Sequence, residues 1–199
     1  MNRNSILIVA AMALWLAPPA VIAQPVDGDP RDAWWENLAV LCGKAFAGEM
    51  TGFARPADDG WLDKRVVMHV RECSETEIRI PLHVGENRSR TWVVTRTEDG
   101  FRLKHDHRHE DGSEDAVTWY GGHTTDPGRA MRQTFPVDDY SKALFLANGL
   151  EASIANFWSM EVHPGEKFAY ELVRPGRNFR AEFDLGDPVE APPAPWGHE

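Results

Sequence analysis

The sequence predicts an all-β fold, an antiparallel up-and-down β-barrel of about nine or ten strands with an N-terminal helix and one inserted helix. A two-sheet β-sandwich is the alternative. Apolar residues recur with period two in run after run between Phe46 and Leu185. Tight-turn signals separate the runs, among them Ser74-Glu75, Asp99-Gly100, Pro164-Gly165 and Pro175-Gly176. Helical spacing is confined to two short stretches. A meander of this length curls and closes, because closure removes the unpaired edges of the sheet.

Residues 1–23 read as a signal peptide. Arg3 supplies the positive start, Ile6 to Leu16 the apolar centre, and Val21-Ile22-Ala23 the small-residue cleavage site. The apolar run breaks at Pro18-Pro19, short of the roughly 20 residues a membrane span needs. Residues 24–187 then form a single barrel domain, and residues 188–199 a Pro-rich tail expected to be extended or disordered. The predicted compartment is periplasmic or secreted. With a formal net charge of −10, the chain is unsuited to nucleic acid or anionic lipid, and no membrane insertion is expected once the leader is removed. Its two cysteines, Cys42 and Cys73, are expected to form a disulfide in such a compartment, with two buried thiols as the alternative.

The first helix is predicted from Asp29 as N-cap and Pro30 at the first position, followed by Trp34, Leu38 and Leu41 at i, i+4 and i+7. Gly43 ends it. Val66, Met68 and Val70 mark one strand, and Ile78, Ile80, Leu82 and Val84 another. Pro81 lacks an amide donor and places this second strand at an edge or a bulge. Strands follow over 90–97, 101–109, 116–124 and 130–137. Asp138 or Asp139 caps a second helix over 140–148, closed by Gly149. Three inner-face series complete the sheet: Ile154 with Asn156, Trp158, Met160 and Val162; Phe168 with Tyr170 and Leu172; and Phe179 with Ala181, Phe183 and Leu185.

Chemistry concentrates between Gly100 and Gly122. Strand parity puts His105, His107 and His109 on the same face as Phe101 and Leu103, hence toward the interior or its mouth. Arg102, Lys104, Asp106, Arg108 and Glu110 take the opposite face, expected to be solvated. Two histidines at i, i+2 can lean together on one divalent ion, while the outer two are roughly 13–14 Å apart and cannot share it. His105, His107 and His109 are the candidate metal ligands, with a third ligand required from elsewhere. An even-length hairpin loop sets His107 opposite Thr118 and His105 opposite Tyr120, which makes Thr118 and Tyr120 candidate ligand-binding residues. An odd loop would present Trp119 or His123 instead, and His69 and His83 are further candidates. A solvated hairpin tip, or core histidines hydrogen-bonded to Thr118 and Tyr120, explains the same residues without a ligand.

A leading helix feeding an up-and-down barrel over about Phe46 to Leu185 resembles the lipocalin-like (calycin) architecture, without the Gly-x-Trp signature of that family. The resemblance implies a small apolar or haem-like ligand. The run LKHDHRHEDGSED, followed by YGG, is similar to exported bacterial proteins and implies no role. His105-Asp106-His107 resembles the start of a cupin motif, but Glu110 comes too early to complete it. HExxH, GxSxG and P-loop motifs are absent.

The expectation is therefore an exported soluble barrel that binds a small ligand or metal ion through an inward-facing histidine strand. The alternatives are a zinc-dependent enzyme using the same histidines and a structural envelope protein. No catalytic residue is assigned. A divalent metal such as zinc is the candidate cofactor.

Overall fold

Both stretches with helical spacing are helices in the computed structural model, which describes residues 28–52, 60, 61 and 63–198. The predicted leader lies outside the described residues. Helix α1 (Pro30–Ala39) starts as expected, with the Asp29 carboxylate accepting from Arg31 N at 2.9 Å. It carries Trp34, Trp35 and Leu38 into the core. Helix α2 (Asp139–Ala147) is capped by Asp138, whose side chain accepts from Ser141 N.

The strands are β1 (Ala45–Met50), β2 (Val66–His69), β3 (Glu72–Cys73), β4 (Glu77–Val84), β5 (Asn87–Thr97), β6 (Gly100–His107), β7 (Tyr120–His123), β8 (Arg132–Pro136), β9 (Phe157–His163), β10 (Lys167–Arg174) and β11 (Arg177–Val189). Ten of them run in the order β7-β6-β5-β4-β2-β1-β11-β10-β9-β8, all antiparallel, and β3 sits beside β4. The first and last strands of this path meet through the bridge Gly122↔Val137 and the hydrogen bond from Asp138 N to Gly121 O, so the barrel is nearly closed.

That seam explains the Tyr-Gly-Gly sequence. A Cβ on Gly122 would lie 1.9 Å from Pro136 O, and one on Gly121 1.9 Å from Leu103 O. The glycines let backbones approach more closely than any side chain permits. Buried Ser141 ties the seam to α2, its Oγ accepting from Gly121 N and donating to Asp138 Oδ1, both at 2.7 Å. Lys104 Nζ adds an ion pair to Asp138 at 2.5 Å. Burial works against ionisation of Asp138, but the hydrogen bonds from Lys104 and Ser141 outweigh it and hold the carboxyl below its usual range.

At one end of the barrel α1 acts as a plug. Trp34 packs on Phe101 with ring centroids 4.9 Å apart, and Trp35 stacks on the same ring at 5.6 Å. Cys42 and Cys73 are disulfide-bonded, joining the segment after α1 to β3. Such a cross-link contributes roughly 3–4 kcal/mol.

Several local expectations are revised. Pro81 lies on an interior strand, but opposite the break between β2 and β3, where a missing amide leaves no ladder bond unmade. The expected strand over 116–124 shortens to β7, because residues 115–119 bulge out between the hydrogen bonds Asp115 N to His107 O and Trp119 N to His105 O. Trp119 sits at φ +57 within that bulge. Residues 151–155 form a 3-10 helix rather than strand, leaving Ile154 exposed. Arg174 fixes this turn through Ser153 Oγ (2.7 Å) and Asn156 Oδ1 (3.2 Å).

The outer face of β6 is not wholly solvated either. Asp106 is buried, with Arg108 Nε donating to both its oxygens and His198 Nε2 at 2.9 Å. What covers it is the Pro-rich tail, which runs extended along the wall and is fastened by Trp196 N to Arg88 O, Arg88 Nη1 to Ala194 O and Arg71 Nη1 to His198 O. Its prolines remove donors, and the barrel's arginines supply them.

Candidate functional site

The described residues leave a cavity at the end of the barrel opposite α1. There the inner faces of β4, β5, β6, β9, β10 and β11, with α2 and the 3-10 helix, enclose a cavity of about 490 Å³, within the range of about 300–1,000 Å³ usual for small-molecule sites. Aromatic rings dominate its walls: Trp92, Trp158, Tyr170, Phe145, Phe179 and, at the rim, Trp61. Trp92 and Tyr170 stack with centroids 4.4 Å apart, and His105 and Tyr120 at 4.6 Å.

β6 delivers His105 and His107 to this cavity because its inner face changes character midway. Phe101 and Leu103 pack under α1, and two residues further along the same parity brings His105 and then His107 to the open side. His105 pairs directly across from Tyr120, although the hairpin loop is odd, with Arg108 bridged to Glu114; the bulge at 115–119 restores the expected partner. His105 Nδ1 donates to Tyr120 O at 3.0 Å, which leaves Nε2 to accept from the Tyr170 hydroxyl at 2.8 Å. Tyr120 Oη is hydrogen-bonded to His107 Nε2 at 3.2 Å.

Burial sets the charge state of this group. It pushes the His105 imidazole down to about 3 and the His107 imidazole down to about 4. It lifts the Tyr120 phenol to about 12 and the Tyr170 phenol well above its usual value. At neutral pH all four are uncharged, so they form a neutral hydrogen-bonding floor.

The remaining predicted residues sit elsewhere. Thr118 is buried and accepts from His107 N at 2.8 Å, bracing β6 without lining the cavity. His109 is exposed in the hairpin turn, its amide bonded to Ser113 O. His123 is exposed beside Asp138 (3.7 Å), and His83 lines a separate outer groove with Trp196. Among the described residues, no group of three or more His, Cys, Asp or Glu side chains converges to hold a metal ion. Both ring nitrogens of His105 are already engaged within the protein.

Sequence reasoning missed the cations. Arg90, Arg174 and Arg177 all line the cavity, with Asp115 as the acid among the described lining residues. The signal was available in the parity already used for the core. Arg90 continues the series Val94, Trp92; Arg174 continues Phe168, Tyr170, Leu172; and Arg177 precedes Phe179, Ala181, Phe183. Each arginine is the last member of an inward-facing series at the open end. Burial lowers the pKa of Arg90, yet an arginine remains charged at any physiological pH.

No family model, curated protein or solved structure matches this chain. The nearly closed antiparallel barrel fits a lipocalin-like layout loosely, and within the described residues no helix is long and apolar enough to cross a membrane.

Proposed function

We propose that this protein is an exported, soluble, calycin-like barrel that binds a small molecule in the open half of its interior. The observation that carries this reading is the cavity of about 490 Å³ beyond a fully packed core. A chain that fills one end of its barrel with Trp34, Trp35, Phe101 and Phe135 has the side chains to fill the other, and instead lines it with rings and a few converging polar groups. His105, His107, Tyr120 and Tyr170 supply orientation through hydrogen bonds, and the aromatic walls supply contact area. The disulfide suits an oxidising compartment, in keeping with the leader-like N-terminus.

The test is native mass spectrometry of protein purified from its own compartment, together with metal analysis of wild type and a His105→Ala/His107→Ala variant. A co-retained organic mass that the double variant loses is the expected result. Stoichiometric metal in the wild type, lost in the variant, would replace the small molecule by an ion. A wild type that carries neither and whose Trp fluorescence responds to no small-molecule panel would end the binding reading.

A further inference from the structure

The small-molecule reading leaves the ligand's chemistry open, and the cavity's charge narrows it. The whole chain carries a formal charge of −10, yet the described lining residues include three arginines and one aspartate. The histidines do not alter that balance, since both are neutral at pH 7.

Arg90 is the most informative of the three. It lies beside His107 on the neighbouring strand, half-buried, with its guanidinium 5.4 Å from the Trp61 ring centroid. Among the described residues it donates through Nη1 alone, to Asn87 Oδ1 (3.1 Å) and Ser89 Oγ (3.2 Å). Outer-wall arginines are treated differently: Arg132 and Arg180 both pair with Glu161. Arg90 has no carboxylate among the described residues within ion-pair distance, and the attraction of Asp115 is weaker than the burial that opposes its charge. A guanidinium drawn partly out of water without a counter-ion is costly unless a ligand provides one. Its planar fork fits the two oxygens of a carboxylate or related oxyanion.

Resting on the small-molecule reading above, we infer that the ligand is an amphipathic organic anion, an aromatic or polycyclic body lodged among Trp92, Trp158 and Phe179 with its oxyanion held by Arg90. Arg174 and Arg177 line the same mouth. The body meets apolar walls and the neutral His–Tyr floor, and the charged end stays nearest water, where its desolvation costs least.

Two fluorescent probes with the same ring system separate this inference from the reading beneath it. One is 8-anilino-1-naphthalenesulfonate, an anion; the other is N-phenyl-1-naphthylamine, uncharged. Both are titrated into full-length wild type and Arg90→Gln, with near-UV circular dichroism confirming native packing. The sulfonate is expected to bind one-to-one, to weaken about tenfold or more in Arg90→Gln, and to weaken as NaCl rises in the wild type. The neutral amine is expected to change less than about twofold in either comparison. The salt series needs no variant, so it decides the matter even where Arg90→Gln fails to fold. Sulfonate binding that is insensitive to both salt and Arg90→Gln overturns the anion inference and leaves the cavity reading standing, as does binding of the amine alone. If neither probe binds, both fall.

Discussion

The two ends of this barrel are built from the same strands and serve opposite purposes. On β6, Phe101 and Leu103 face the plugged end and His105 and His107 the open end, with no change of strand or parity between them. On β10 the same inner row runs Phe168, Tyr170, Leu172, Arg174 from plug to mouth. At the plug, helix α1 brings Trp34 and Trp35 onto Phe101 and the disulfide anchors the segment behind it. At the mouth, rings and arginines leave space. A β-strand has one inward row, so a protein that needs both a core and a site must divide that row along its length. Position 105 is where the division falls on β6.

If that division is real, substitutions at the two ends should differ in what they damage. Trp34→Ala, at the plug, should cost about 3–5 kcal/mol by urea denaturation, since it empties a fully buried ring site. Removing the cross-link with Cys42→Ser/Cys73→Ser should cost about 3–4 kcal/mol in the same assay, and reductant should reproduce the loss in the wild type. Gly122→Ala tests the seam where the ends of the sheet meet. Its Cβ would collide with Pro136 O, and about 1–3 kcal/mol of destabilisation is expected.

The boundary residue makes a pH prediction. Folded His105 titrates at about 3, while the unfolded side chain titrates near its usual value of about 6.5. Below about 6.5 the unfolded chain takes up a proton that the folded one refuses, so stability falls with pH from there toward about 3. Between pH 7 and pH 5 this one group should remove about 1–2 kcal/mol. His105→Gln should flatten that part of the stability curve, whatever it does to the stability at pH 7. A slope unchanged in the variant would mean that His105 titrates alike in the folded and unfolded states.

The smallest effect on stability should come from the mouth. Arg90→Gln loses bonds to Asn87 and Ser89 but also relieves a half-buried cation, and the net should stay within about 1 kcal/mol. A large loss there would make Arg90 a structural residue and erase the contrast between the two ends.

Much of this is legible in the sequence, because it is local. The Asp29-Pro30 start of α1, the Asp138 cap of α2 and the inner rows of β10 and β11 follow from side-chain type and spacing alone. So do the barrel class and the inward parity of His105 and His107. The candidate site was read only in part. Its histidines and Tyr120 drew attention because they cluster in one hairpin, whereas Arg90 lies far along the chain from the Arg174 and Arg177 pair and each looks like an ordinary charge beside a turn. Alternation said which way they point; it did not say that three strand ends meet.

By itself, then, the sequence determined period, caps, turns and the facing of each strand, all interactions within a few residues of one another. Tertiary structure decided the rest. The bulge at 115–119 follows from how β6 and β7 reconcile their registers, and Asp106 is buried because a tail 92 residues away lies over it. The cavity exists because closing the sheet at Gly122 sets the radius of the barrel, and α1 reaches only far enough to fill one end. Closure is a property of all the strands together, so no single stretch of sequence could announce it.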